Sequence, residues 1–264
     1  MNFEDFARAH GLIVRDLIPG RWVRVPTEDH PRSKNGAYKY MGDVGFVQNH
    51  ATQTEVQVWK PAKDYVIDHK IVLKAKTLDD QRDKERAAAA ERAVWIINQT
   101  LQASHPYLER KGFKSGMVWY HDHKKTLVVP MRAFNNVVGC QLISEDGDKK
   151  FLKGQQTNDA TFTMGQGDPI LCEGYATGLS VMMAVSALKL RKSVMVCFSA
   201  GNLSRMAKKY NNPFIVADND ESGTGERVAQ GYKYWIAPEV NCDFNDFHQR
   251  VGLFQAAQSL RRAL

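Results

Sequence analysis

Two stretches decide the fold: Ile170–Ser180, ILCEGYATGLS, and Phe214–Ala229, FIVADNDESGTGERVA. The first completes an apolar run, Pro169–Cys172, and the second opens with one, Phe214–Ala217; each run leads directly into an acid. Apolar runs of this length without alternation are strands covered on both faces, and strands alternating with helices build a parallel sheet with helices on its faces. Working outward, Thr177–Leu188 reads as a helix, Val194–Phe198 as a strand and Leu203–Lys209 as a helix. Gly225–Tyr234 and Asp246–Arg262 read as the last two helices, giving an α/β class for residues 165–264.

Ligands of such sheets bind at the carboxyl ends of the strands, and that is where the acids fall. Glu173 ends the first strand and Gly174 permits a sharp turn after it. Asp218 and Asp220 end the third, and alternate residues of an extended segment point the same way. Asp243 and Asp246 lie in NCDFNDFH before the closing helix. Five carboxylates gathered from three strand ends repel one another unless cations neutralise them, and hard oxygen donors suit Mg²⁺ or Mn²⁺. Each acid alone has a plainer reading as a helix N-cap, Asp246 above all. It is the ordered set, strand–Glu-Gly, strand–Asp-x-Asp, then Asp-x-x-Asp, that points to a metal-dependent site.

Upstream the pattern differs. Residues 1–70 read as a small strand-rich module. Asn2 caps the helix NFEDFARAH, Gly11 ends it, and short alternating segments (RWVRV, AYKYM, GFVQN, EVQVW) follow. Trp22, Tyr38, Tyr40, Phe46 and Trp59 alternate with Arg21, Arg24, Lys34 and Lys39; they either fill a small core or stack on bases. Residues 71–104 hold a connector helix read over 77–103, with Thr77 and Asp80 as a capping box and only the apolar second half docked. Residues 105–164 form a basic entry subdomain of mixed α+β character, in which LVVP, VVGCQLI and KKFL are strands.

Composition agrees with a folded globular protein. The 264 residues are 43% hydrophobic and 25% charged, which excludes disorder and collagen, and no apolar run is long enough for a membrane helix. The N-terminus carries acids where a secretory leader carries lysines, so a cytoplasmic location is expected. The net charge of +7 permits a polyanionic partner. Cys140, Cys172, Cys197 and Cys242 form no CxxC pair, so neither a zinc ribbon nor a disulfide framework is expected. His105, His121, His123 and His248 invite a metal reading, but a histidine pair on a loop such as His121-Asp122-His123 more simply faces solvent.

ILCEGYATGLS followed by FIVADNDESGTGERVA resembles the TOPRIM domain of bacterial DnaG-type primases, topoisomerases and some nucleases. HPYLERKGF (105–113) and TLVVPMRAFNNVVGCQLISEDGDKKFLKGQQT (126–157) resemble the segment preceding TOPRIM in phage and plasmid primases. NCDFNDFHQRVG (241–252) resembles their third acidic motif, and residues 20–49 resemble their N-terminal module. The resemblance implies a DNA primase that makes RNA primers from NTPs on a single-stranded DNA template, with a replicative helicase as a further partner. It implies work in a bacterial host cytoplasm if the chain is phage- or plasmid-encoded. Glu173, Asp218 and Asp220 would be the catalytic and metal-holding acids, Asp243 and Asp246 further metal ligands, and Arg132, Lys149, Lys150 and Lys153 the contacts to nucleotide or template phosphate. The chain departs from the family in having Thr177 where replicative primases place an acid, in lacking cysteines in the N-terminal module, and in having no GxxxxGK[ST] run. A TOPRIM nuclease and a catalytically inactive single-stranded-DNA-binding accessory remain as the alternatives.

Overall fold

The computed structural model describes residues 1–53, 55–62 and 67–264. Two compact units divide at Glu85/Arg86. In the first, helix α1 (Phe3–Ala9) is capped by Asn2, whose side chain accepts the Asp5 N–H. Strands β1 (Trp22–Val25), β2 (Gly36–Tyr40), β3 (Gly45–Asn49) and β4 (Gln57–Trp59) form an antiparallel sheet in that order. Strand alternation sends Tyr38, Tyr40, Val47 and Trp59 to one face, where Phe3 stacks on Tyr40 at 4.8 Å. The other face keeps Trp22, Lys39 and Phe46 in one cross-strand row. The five aromatics therefore split: three fill the core, and Trp22 and Phe46 do not. Gly45 is required, because a Cβ there would sit 2.2 Å from the Phe3 ring.

Helix α2 (His69–Asn98) starts eight residues earlier than the sequence suggests. Asp68 receives the Lys70 N–H at its start, and Thr77 is no cap: its hydroxyl bonds back to the Leu73 carbonyl. The reason is packing. Ile71 joins the first unit's core and Ala75 is fully buried, so the charged first half docks as well as the second. The helix also ends sooner, and Thr100–Ala103 becomes strand β5 because the next hairpin offers it a free ladder.

The second unit holds two sheets. Short helix α3 (Pro106–Arg110) precedes β6 (Gly116–His121), β7 (Lys124–Ala133), β8 (Asn136–Ile143) and β9 (Lys149–Phe151), and β5 to β9 form an antiparallel meander. The His-Asp-His stretch is the β6–β7 turn, with Asp122 and His123 both at positive φ. His105 caps α3 through Nδ1 and is buried, and His248 Nδ1 meets the Ser180 hydroxyl.

The other sheet consists of β10 (Phe162–Gly165), β11 (Asp168–Cys172), β12 (Lys192–Val196), β13 (Phe214–Ala217) and β14 (Lys233–Ile236), in the order β10-β12-β11-β13-β14. β11 to β14 run parallel and β10 is antiparallel at the edge. Helices α4 (Tyr175–Ala187) and α7 (Phe244–Ala263) cover one face, where Ile170, Cys172 and Val216 point. Helices α5 (Ala200–Ala207) and α6 (Thr224–Ala229) cover the other, where Leu171, Ile215 and Ala217 point. That double cover explains why the strands are apolar throughout.

The expected helix over Gly225–Tyr234 is corrected: α6 stops at Ala229, Gly231 turns at φ +88°, and the chain returns as β14. Trp235 is anchored there by its indole N–H on Ser259 and by Phe244 at 4.7 Å, which favours strand over helix. The closing helix is broken at Gly252. All four cysteines are buried free thiols.

A candidate acidic site at the carboxyl ends of the parallel strands

β11 and β13 are neighbours with Cys172 level with Val216, so Glu173 and Asp218 leave the sheet side by side. Asp243 is delivered to them by backbone pairing. The Asn219 N–H donates to the Cys242 carbonyl (3.2 Å), the Asn241 N–H donates to the Asn219 carbonyl (2.6 Å), and the Asn219 amide fixes the Ala237 carbonyl. Gly225 lets α6 begin against Asp218, since a Cβ at Gly225 would meet the Asp218 carbonyl oxygen at 2.1 Å.

The acids have distinct environments. Asp218 Oδ1 is shut off from solvent and receives no hydrogen bond. Burial, then the charges of Asp243 and Glu173, push its carboxyl up to about 7, with Lys149 opposing. Glu173 is half-buried and raised by desolvation, again opposed by Lys149. Asp220 is held below the usual carboxylate range by the Ser222 hydroxyl and the Thr224 and Gly225 N–H groups at the start of α6. Asp243 and Asp246 form a reciprocal capping box at α7, and Asp246 Oδ1 also meets Lys111 Nζ at 2.9 Å. The helix-cap reading thus holds for Asp243, with Asp246 closing its box; Asp220 instead accepts first-turn N–H groups of α6, whose N-cap is Gly223, and Asp218 is the acid left without a donor. Among the described residues no three His, Cys, Asp or Glu side chains are drawn close enough to enclose a metal ion. Asp243, Glu173 and Asp220 act electrostatically on Asp218 across an open site.

The basic candidates separate. Lys149 acts electrostatically on Glu173 and Asp218, and lines a cleft of about 450 Å³ together with Asp243 and Asp246. Lys150 follows it on β9 and so points to the opposite face of the meander; Lys153 is exposed on the next turn. Arg132 lies apart, at the β7–β8 turn, where Nη1 donates to the Asn135 carbonyl. Sequence reasoning passed over Arg110 and Lys111, which line the same cleft as Lys149. Their signal was present in HPYLERKGF, but nothing local says that this segment meets α7. It does so through Asn245, whose buried amide donates to the Lys111 carbonyl and to the Ser180 hydroxyl.

No family model matches the chain. Two curated relatives, both named DNA primase TraC and both from Escherichia coli, are 27% and 24% identical over 83% of this chain. The alignments cover 17% and 23% of those proteins, so this chain spans about a fifth of their length. Among solved structures, one of bacteriophage T7 lagging-strand DNA polymerase interacting with primase domains of two gp4 subunits, bound to an RNA/DNA hybrid and dTTP, contains a similar chain. It matches at 17% identity and a TM-score of 0.45, over 62% of this chain and 91% of that one. No helix among the described residues is long and apolar enough to cross a membrane.

Proposed function

We propose that this chain is the catalytic part of a DNA primase whose parallel sheet is of the TOPRIM type, a nucleotidyltransferase that joins ribonucleotides on single-stranded DNA in phage or plasmid replication. The similarity to the two TraC primases supports the class. The single observation that carries the chemistry is Asp218: a carboxylate with a buried, donorless oxygen, surrounded by Glu173, Asp220 and Asp243. A carboxylate so placed is stabilised by a cation, and the all-oxygen donor set fits Mg²⁺ or Mn²⁺. Glu173, Asp218 and Asp220 would hold it, with Asp243 and Asp246 as further ligands; when bound, it supplies charge stabilisation for phosphoryl transfer.

The chain's own groups account for the rest. Glu173, half-buried and raised, is poised to take the proton of the attacking 3′-hydroxyl. Lys149 offers positive charge to the phosphate under attack, where negative charge builds as pyrophosphate leaves. Asn219 and Gly225 fix the backbone beside Asp218 and so set the direction of its carboxylate. Lys150, Lys153 and Arg132, placed outside the cleft, serve as salt-sensitive contacts to template phosphate. A replicative helicase and the bacterial cytoplasm are the expected setting.

The test is incubation with labelled NTPs, single-stranded template and Mg²⁺ or Mn²⁺, beside Asp218→Ala. Short RNA from the parent and none from the variant is expected. Template shortening without NTP incorporation would replace this reading with a nuclease, and DNA retention with neither product would replace it with a binding accessory.

A further inference from the structure

α4 carries no charged side chain anywhere along Tyr175–Ala187, YATGLSVMMAVSA. A helix that is uncharged all round is ordinarily buried all round. This one is not. Val181, Ala184 and Val185 pack in the core, but Met183 is 39% exposed, and Ser186 and Ala187 are exposed as well. Leu179, Met182, Met183 and Ser186 recur at three- and four-residue spacing and so form one stripe along the helix. With Phe113 from the segment after α3 and Leu253 from α7, the stripe walls a groove of about 420 Å³. Ser186 is the one polar side chain lining it among the described residues. Leu253 directly follows the break in α7 at Gly252, and Phe254 next to it is 76% exposed. An apolar concavity of this kind, open to solvent, marks a surface made for another protein, and methionines let such a surface adapt to its partner.

The charges around the groove say what that partner carries. The segments that build it, residues 110–121, 174–217 and 247–264, contain no Asp or Glu. They contain cations instead. Lys114 follows Phe113, and Lys189 and Arg191 follow Ala187; all three are exposed and make no ion pair among the described residues. Arg250 and Lys192 are paired, with Glu239 and Asp168. Positive charge therefore borders the groove uncancelled where Phe113 and Ala187 stand. An apolar channel with such a border fits an amphipathic helix that has an apolar ridge and acidic flanks. A second copy of this chain fits badly, because a two-fold contact sets the patch against itself and lysine against lysine. A lipid surface is flat, whereas this wall is concave.

We infer that the α4–α7 groove is a docking site for an acidic amphipathic helix of a partner protein, its apolar ridge on Leu179, Met182, Met183 and Leu253 and its carboxylates toward Lys114 and Lys189. No residue walling the groove also lines the acidic cleft, so docking stands or falls separately from nucleotidyl transfer.

Fluorescence anisotropy tests it with three labelled helical peptides of about five turns. The first has leucines along one face and glutamates on its flanks, the second has lysines in place of the glutamates, and the third is the first in scrambled order. The parent should bind the acidic peptide about tenfold or more tighter than either control, and the preference should weaken with salt. Met183→Glu should cost about tenfold or more of that affinity, and Ala187→Glu serves in its place if the first variant does not fold. The double variant Lys114→Glu/Lys189→Glu should turn the preference toward the lysine peptide, and Leu101→Glu, an exposed apolar site on β5, should bind like the parent. No binding of the acidic peptide, equal binding of the scrambled one, or parent-like affinity in the folded groove variants would overturn the inference. So would a concentration-dependent dimer in sedimentation, or binding to phosphatidylglycerol vesicles, that Met183→Glu abolishes, since either would give the groove to a second copy or to a membrane.

Discussion

Asn219 and Cys242 are joined by a backbone hydrogen bond of 3.2 Å, and Asn241 returns a second one to the Asn219 carbonyl. This small bridge lies outside every strand and brings the start of α7 to the end of β13. Because of it Asp243 acts on Asp218, a residue twenty-five positions earlier. The Asn219 side chain completes the link by donating to the Ala237 carbonyl at 2.9 Å. Asn219→Ala should therefore lower the stability of the second unit by about 1–2 kcal/mol, the usual consequence of leaving a carbonyl without its donor. Urea denaturation measures this, and an unchanged midpoint would show that the backbone pair alone holds the loop.

The raised carboxyl of Asp218 makes stability depend on pH with a definite sign. Its folded value of about 7 lies above the ordinary 3.8, so its contribution is fully present below about pH 4 and is lost as pH rises through 7. Above pH 7 the ionised group is a liability on the order of a few kcal/mol. Asp218→Asn should accordingly be more stable than the parent at pH 8, with the difference shrinking toward pH 4. Mn²⁺ or Mg²⁺ should raise the parent's melting temperature more at pH 8 than at pH 6, and should do little for the variant. A pH-independent difference between the two proteins would contradict the environment described for Asp218.

Gly225 gives a prediction of a different kind, steric instead of electrostatic. A methyl group at this position would overlap the Asp218 carbonyl oxygen, and that atom is backbone. The chain can relieve the overlap only by moving α6 away from β13. Gly225→Ala should destabilise the unit by about 2 kcal/mol or more, although alanine is intrinsically the better helix former. Circular dichroism melts check the sign: a stabilised variant would mean that α6 does not approach Asp218.

How much of this was legible in the sequence follows from what each feature depends on. The parallel strands and their acids were readable because double burial writes a continuous apolar run, and an acid at its end is a local fact, as in Ile170–Glu173 and Phe214–Asp218. The start of α2 was not, because Ile71 and Ala75 reveal their burial only once the first unit's sheet is there to receive them. β14 was hidden because Tyr232–Ile236 is amphipathic enough for either period, and its choice is made by Trp235 against Ser259 and Phe244. Arg110 and Lys111 were missed for the same reason: their place in the cleft depends on Asn245, more than 130 residues away along the chain.

The choice between Lys149 and Lys150 is the sharpest case, since adjacent residues of a strand face opposite ways and only register decides between them. Composition favours neither. Lys149 pairs level with Ile143, whose side chain belongs to the core cluster shared with Tyr107, Tyr175 and Ala176; Lys150 pairs level with Leu142, on the face that packs with Ala93 and Ile96 of α2. The ammonium of Lys149 therefore stands over the acids and lowers both Glu173 and Asp218 against the effect of their burial. Replacing Lys149 by methionine removes that opposition, so the Asp218 carboxyl should rise further above 7. In practice the advantage of Asp218→Asn over its parent at pH 8 to 9 should grow, and level off at a higher pH, in a Lys149→Met background, and stay as it is in a Lys150→Met background. Paired urea midpoints from pH 5 to 9 for the six proteins (parent, Lys149→Met and Lys150→Met, each with and without Asp218) measure both shifts. Equal shifts from the two lysines, or a shift from Lys150→Met alone, would mean that β9 is registered one residue away from the pairing described.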